Sequence, residues 1–209
     1  MIGPTLHLAA AGPLLLGAGV VALVLLVVPA IYVIAVYNGL RRAQVRAQNA
    51  FSQIDVQLKR RFDLIPNLVE TVKGYMAHER GTLEAVIAAR AQASSALGAV
   101  HGGAMGMASM GALANASGAL DGALNRLIGL VERYPELKAN QNALQLQEEL
   151  ASTENRIAFA RQAYNDAVMR LNESIVVFPS SLIAGFFGIE QMGMFEASAD
   201  ERKSVAVKF

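Results

Sequence analysis

LQLQEELASTENRIAFARQAYNDAVMRLNESIV, residues 144–176, is the stretch whose reading decides the fold. Leu146, Leu150, Thr153, Ile157, Ala160, Tyr164, Ala167, Leu171 and Ile175 advance through it by alternating steps of four and three, broken only by a final four. That spacing keeps one stripe of a 3.6-residue helix apolar over about four heptads, so it predicts a long amphipathic helix with a coiled-coil-like seam. From Glu136 to Val176 such a helix measures roughly 60 Å, and Pro179 stops it. Glu148, Glu149, Glu154, Asn155, Arg156 and Arg161 flank the seam as the usual polar face of a bundle helix, with inter-helix pairs to Arg60 or Arg61 as the alternative.

A seam of this length needs partner helices to bury it. Leu120, Leu124, Leu127, Ile128 and Val131 mark one over Leu120–Arg133, ended by Tyr134-Pro135. Phe51, Ile54, Leu58, Phe62 and Ile65 mark another, beginning near Leu40. Pro66 lacks an N–H and its ring crowds the preceding turn, and Asp63 is placed to cap a new helix whose first turn holds Pro66. A stop and restart is therefore expected there, with a second helix from about Asn67 to Leu97 carrying Leu68, Val72, Met76, Leu83, Val86 and Ile87 inward. Residues 91–120 contain no Asp, Glu, Lys or Arg, and LGAVHGGAMGMASMGALANASG (97–118) reads as a flexible Gly/Ala/Met-rich connection over about 98–118, partly helical around Met105–Leu113. If each segment reverses direction, this loop and the C-terminal tail both return to the membrane-proximal end of the bundle; if Pro66 only kinks the helix, the loop lies at the distal end instead.

Leu14–Val36 (LLLGAGVVALVLLVVPAIYVIAV) is a run of 23 residues without a charge. A helix needs about 20 apolar residues to cross a ~30 Å hydrocarbon layer, so this run is a transmembrane candidate in which Pro29 is tolerable as a kink. Residues 1–13 lack Lys and Arg, the basic region a cleaved signal would need, so an uncleaved anchor is expected. Arg41, Arg42 and Arg46 follow the span, which orients the C-terminal side toward the cytoplasm of a single-pass inner-membrane protein and places those arginines for anionic lipid. The expected organisation is an extracytoplasmic stub (1–13), a span (14–36), a cytoplasmic bundle (37–178) and an apolar tail (179–209). The tail either folds back on the bundle end or dips into the membrane interface, and SVAVKF (204–209) forms a short strand or frays. The fold class is thus all-α: an N-terminal transmembrane helix followed by an up-and-down antiparallel bundle of about four helices.

Composition narrows the chemistry. The 209 residues are 54% hydrophobic and 17% charged, with mean hydropathy +0.36, no Cys and no Trp. Absence of Cys excludes disulfides, thiolate nucleophiles and Cys-ligated zinc. A formal net charge of +1 gives no footprint for nucleic acid. No Ser-His-Asp set, P-loop, GxGxxG or HExxH is present, and no cofactor or small-molecule substrate is indicated. His78-Glu79 is one suggestive pair for a metal-dependent hydrolase, but adjacent helical residues point about 100° apart and no Glu-x-x-His occurs. LKRRFDLIPNLVETVKGY is dense in charge. Its Lys59, Arg60, Arg61, Asp63, Asn67 and Glu70 are candidates for docking a partner, against the plainer reading of a solvated helix face.

These same residues carry a resemblance. YNGLRRAQVRAQNAFSQIDVQLKRRFDLIPNLVETVKGYMAHERGTLEAVIAAR (37–90) and RYPELKANQNALQLQEELASTENRIAFARQAYNDAVMRLNESIVVFPSSLIA (133–184) resemble the LemA family of bacterial single-pass membrane proteins, the run Ile54–Glu70 most specifically. Phe51 and Ala143 stand where members commonly carry a bulkier aromatic, and Leu171-Asn172 where a second Tyr-Asn is usual. The resemblance implies a membrane-anchored, cytoplasm-facing bundle in a family without an established enzymatic activity, and transfers no catalytic residue. The expected role is a scaffold or interaction module contacting the bilayer and either itself or another membrane-associated protein. A membrane-shaping or organelle-organising role of magnetosome type is the alternative.

Overall fold

The computed structural model describes residues 5–76, 78–102 and 105–196, with side chains from Gly19 onward; the expected strand at 204–209 and the outermost part of the stub lie outside them. Six helices follow one another: α1 (Thr5–Lys73), α2 (Arg80–Gly102), α3 (Met107–Val131), the single turn α4 (Pro135–Lys138), α5 (Gln141–Val176) and α6 (Ser180–Phe186). No strand occurs among the described residues. α1 and α5 form the principal pair. The α2–α3 hairpin lies against it, and an extended segment, 189–196, closes the end nearest the apolar run.

The expected seam is present. Leu150, Thr153, Ile157, Tyr164 and Leu171 are buried on α5, facing Phe51, Ile54, Leu58, Phe62 and Ile65 of α1 in one continuous core. Phe51 meets Tyr164 edge-on at 5.7 Å between ring centroids. The helix starts later than expected because Pro135 opens α4 and Asn140 caps α5, its side chain accepting from the Ala143 amide at 3.1 Å.

α1 does not stop at Pro66. It runs unbroken through Pro29 and Pro66, and the chain reverses at Gly74–Glu79 instead, so α2 begins at Arg80 rather than Asn67. The physical reason sits one turn back. Without an N–H, Pro66 leaves the Phe62 carbonyl with no helical donor. Arg90, from the facing α2, donates its Nε–H to that carbonyl at 2.6 Å. Burial of Ile65, Leu68, Val69 and Val72 on either side of the proline holds the helix to the core across the gap.

The Gly/Met segment is also more ordered than expected. Helix continues to Gly102 and resumes at Met107, so the connection shrinks from about 98–118 to the few residues between. Val100, Met110, Leu113, Ala114, Ser117 and Leu120 are buried at helical spacing. Small residues such as Ala89, Ala93, Ala114 and Ala123 let α2 and α3 approach closely. The missing charges therefore reflect burial between helices, not looseness.

Along 19–34 nearly every α1 side chain is exposed, including Leu25, Leu26 and Ile31. This part is long and apolar enough to cross a membrane and has no protein against it.

Arg90→Ala orphans the Phe62 carbonyl and lowers unfolding free energy by about 1.5–3 kcal/mol, the range for a charge-assisted hydrogen bond. In a Pro66→Ala background the restored N–H takes over, and the same substitution costs less than half as much. Denaturant titration of the four-member cycle in detergent reads the coupling; purely additive effects would refute this account of α1's continuity.

Candidate functional site

The docking candidates singled out in α1 separate into two groups. Arg61 points inward and is 3% exposed, paired with Asp121 of α3 and, at 2.9 Å, with Glu154 of α5. One guanidinium thus links three helices, beside a cavity of about 390 Å³ bounded by Asn125, Leu150 and Asn155. Its fork suits such bridging because it offers several N–H donors in fixed directions. Arg60 reaches Glu149 of α5 at 3.5 Å on the exposed rim, where a pair contributes at most about 1 kcal/mol. Both arginines, candidates for partner docking in the sequence, make ion pairs within the bundle. Lys59 pairs with Asp55 one turn back at 2.8 Å.

Asp63, Asn67 and Glu70 form the second group. They are exposed toward the far end of α1, and Glu70 meets Lys73 at 3.3 Å. Here α1 and α2 diverge around a groove of about 270 Å³. Its apolar lining comes from Val69, Met76, Leu83 and Ile87, and its rim includes Glu70 and Arg80. His78 stands exposed in the α1–α2 turn rather than on a helix, and no group of three metal-binding side chains occurs among the described residues. At the opposite end Arg41, Arg42 and Arg46 are exposed along one shallow groove, and Arg41 lies over the Tyr37 ring and donates to its hydroxyl at 3.1 Å.

A third feature escaped the sequence reading: the extended segment after α6 is fastened to the bundle by side chains. Asn172 donates to the Met192 carbonyl at 2.8 Å and accepts from the Met192 amide at 2.9 Å. Asn165, seven residues earlier and so two turns away on the same face, does the same to Phe195 at 3.0 and 2.8 Å. Each amide side chain replaces a neighbouring strand, satisfying one donor and one acceptor. Between them Tyr164 donates its hydroxyl to the Gly193 carbonyl at 2.7 Å, and the Gly193 amide donates to Met105 at 2.9 Å. Burial pushes the Tyr164 phenol well above its ordinary value. The spacing of Tyr164-Asn165 and Leu171-Asn172 was the available signal, but what an asparagine binds is not written in its own segment.

The LemA family model matches residues 50–209. Protein LemA of Metamycoplasma hominis is 29% identical over 168 residues, covering 80% of this chain and 72% of that one. Magnetosome protein MamQ of Magnetospirillum gryphiswaldense is 25% identical over 174 residues, 76% of this chain. Magnetosome protein MamQ 2 of Paramagnetospirillum magneticum is 26% identical over 175 residues, 77% of this chain. In both magnetosome proteins the match covers 64% of their length.

Two outcomes test the fastening. A Cβ at Gly193 would lie 2.6 Å from the Gly106 carbonyl oxygen and 2.7 Å from the Met107 Cα, backbone atoms that cannot swing aside. Gly193→Ala destabilises by about 1–3 kcal/mol in a melt, whereas Gly111→Ala, which meets nothing, does not. The Tyr164 phenol is neutral in the fold and its pKa is raised, so its contribution is complete below the ordinary phenol value of 10.0. Above that pH the unfolded chain ionises first and stability falls as pH rises. Tyr164→Phe is less stable at pH 7 but shows a shallower alkaline decline in the same melts.

Proposed function

The chain belongs to the LemA family, and on that premise we propose that it is a membrane-anchored, non-enzymatic interaction module whose bundle engages a second copy or another membrane-associated protein. The supporting observation is the continuity of α1. One helix carries the exposed apolar run and then half of the α1–α5 core, so the groove at Val69, Met76, Leu83 and Ile87 is held at a fixed height. From Val36 to Lys73 that height is roughly 55 Å at 1.5 Å per residue. An anchored module meets its partners in two dimensions, so modest contacts suffice where dissolved proteins would need strong ones.

With the span in the inner membrane and the bundle on the cytoplasmic side, Arg41, Arg42 and Arg46 stand at headgroup height for anionic lipid, and Asp63, Asn67 and Glu70 stand near the far tip for protein. Arg60 and Arg61 serve the bundle itself. A membrane-shaping role is the second reading, favoured by the apolar residues left exposed around α6.

A photoreactive amino acid at Asn67 or Glu70, activated in native membranes, gives a discrete higher-mass band, while the same group at Gln162 on α5 gives none. Monomer alone from all three positions, with no reproducible neighbour, would sink the interaction reading.

A further inference from the structure

The junction of α5 and α6 leaves Val177, Phe178, Leu182, Phe186 and Phe187 exposed, Phe178 by 74% and Phe186 by 84%. No charged residue occurs from Ser174 to Ile189. An uncharged exposed cluster of this kind marks an interaction site, and three observations identify what covers it.

The first is height. Phe187 packs on Tyr37 at 4.6 Å between ring centroids, and Ala184 and Ile189 bury Leu40, with Val36 and Tyr37 packed against them. The cluster therefore sits beside the last turn of the uncharged run, where that run's exposed apolar surface ends. The second is orientation. α6 turns 94° from α5, which runs alongside α1, so α6 lies across the direction of the span. A short helix lying in the plane of the interface with its apolar face down is the geometry of a monotopic insertion. The third is backbone satisfaction, since groups buried in lipid need internal partners. The Ser181 amide donates to Val177, Leu182 to Pro179, Phe187 to Ile183 and Ile189 to Ala184, all between 2.9 and 3.2 Å, and the Ser180 hydroxyl donates to the Ser174 carbonyl at 2.7 Å.

We propose that the α5–α6 corner is a second membrane contact, with Phe178, Leu182 and Phe186 inserted into the leaflet nearest the bundle at the boundary of headgroups and acyl chains. The proposal rests on the reading of α1 as the anchor. Its consequence is a two-point attachment: α1 fixes position, and α6 fixes the rotation of the bundle about α1.

The chain contains no Trp, so a single introduced indole is an unambiguous probe. Full-length Phe186→Trp and Phe178→Trp proteins are reconstituted in phosphatidylcholine vesicles containing phosphatidylglycerol. The lipids are brominated either high on the acyl chain or near its end. Leu26→Trp reports the anchor. Phe159→Trp, 75% exposed on α5 one turn beyond Tyr164 and so more than roughly 20 Å along the bundle from Tyr37, reports water. The corner probes show blue-shifted emission, quenching by the shallow bromines and protection from aqueous iodide, while Phe159→Trp is quenched by iodide alone. If Leu26→Trp is quenched by deep bromines but the corner probes behave like Phe159→Trp, the corner proposal falls and the anchor stands. Corner probes shielded from iodide yet untouched by bromine place a protein there and overturn it equally. If Leu26→Trp itself escapes the deep bromines, the anchor reading falls and takes the corner with it.

Discussion

The structure depends on one helix serving two environments. α1 presents apolar side chains in every direction along 19–34, then narrows to a single buried stripe from Leu40 to Val72. A hydrocarbon solvent rewards the first pattern and a protein core the second, and an uninterrupted backbone joins them. The rod would be cut short if Pro66 ended the helix, because the last turns up to Lys73, which carry Leu68, Val69 and Val72, would no longer continue it to the α1–α2 turn. Arg90 prevents this by donating to the carbonyl that the proline abandons. Rigidity between anchor and tip is therefore secured by a contact from a different helix, not by the local sequence of α1.

Around that rod the bundle is tied by polar groups at two heights. Arg61 gathers Asp121 and Glu154, linking α3 and α5 to α1 near the far half. A buried arginine of this kind contributes little net stability beyond what apolar packing would supply. Burying its guanidinium without those carboxylates is costly, so it disfavours alternative registers of the α1–α5 seam. Lower down, Asn165 and Asn172 hold the segment after α6 by paired hydrogen bonds, and Gly193 fits against Gly106 where no side chain has room. Gly193 thus serves a close backbone approach to the start of α3.

What could be read from the sequence follows the reach of each signal. The α5 seam and the uncharged run were legible because their periodicity is local and long. The pairing of Arg60 and Arg61 with α5 was legible only as an alternative to partner docking, and Asp121 of α3 as a second partner for Arg61 was not legible at all. Three features were not. Pro66 reads as a break because the donor that rescues it lies 24 residues away, on α2. Residues 98–118 read as a loop because small apolar residues pack helices tightly without the large side chains and charges that make periodicity visible. The asparagine fastening was invisible because Asn165 and Asn172 occupy helix positions indistinguishable from solvated ones until the returning chain is placed beside them. In each case the missing information is non-local: a hydrogen-bond partner or packing neighbour that only the tertiary fold brings near.

This fastening bears on the exposed corner. A chain end rich in Phe, Leu and Ile ordinarily lowers its free energy by collapsing onto the nearest core. Here α6 is constrained before by α5 and after by the bonds from Asn172, Tyr164 and Asn165, and its own Ile183 and Ala184 are already buried. Rotating α6 to hide Phe186 would expose those two and pull Ile189 from Leu40. The outward set is held outward by the same contacts that bury the inward one. Apolar surface maintained against its own tendency to collapse implies a surrounding in which it is already satisfied. Beside the end of an uncharged helix of spanning length, the proposed second membrane contact supplies that surrounding as hydrocarbon. The polar bonds at the base of the bundle and the greasy face below them are thus one device: the bonds fix the direction in which the face points, and the face defines how the bundle stands on the membrane.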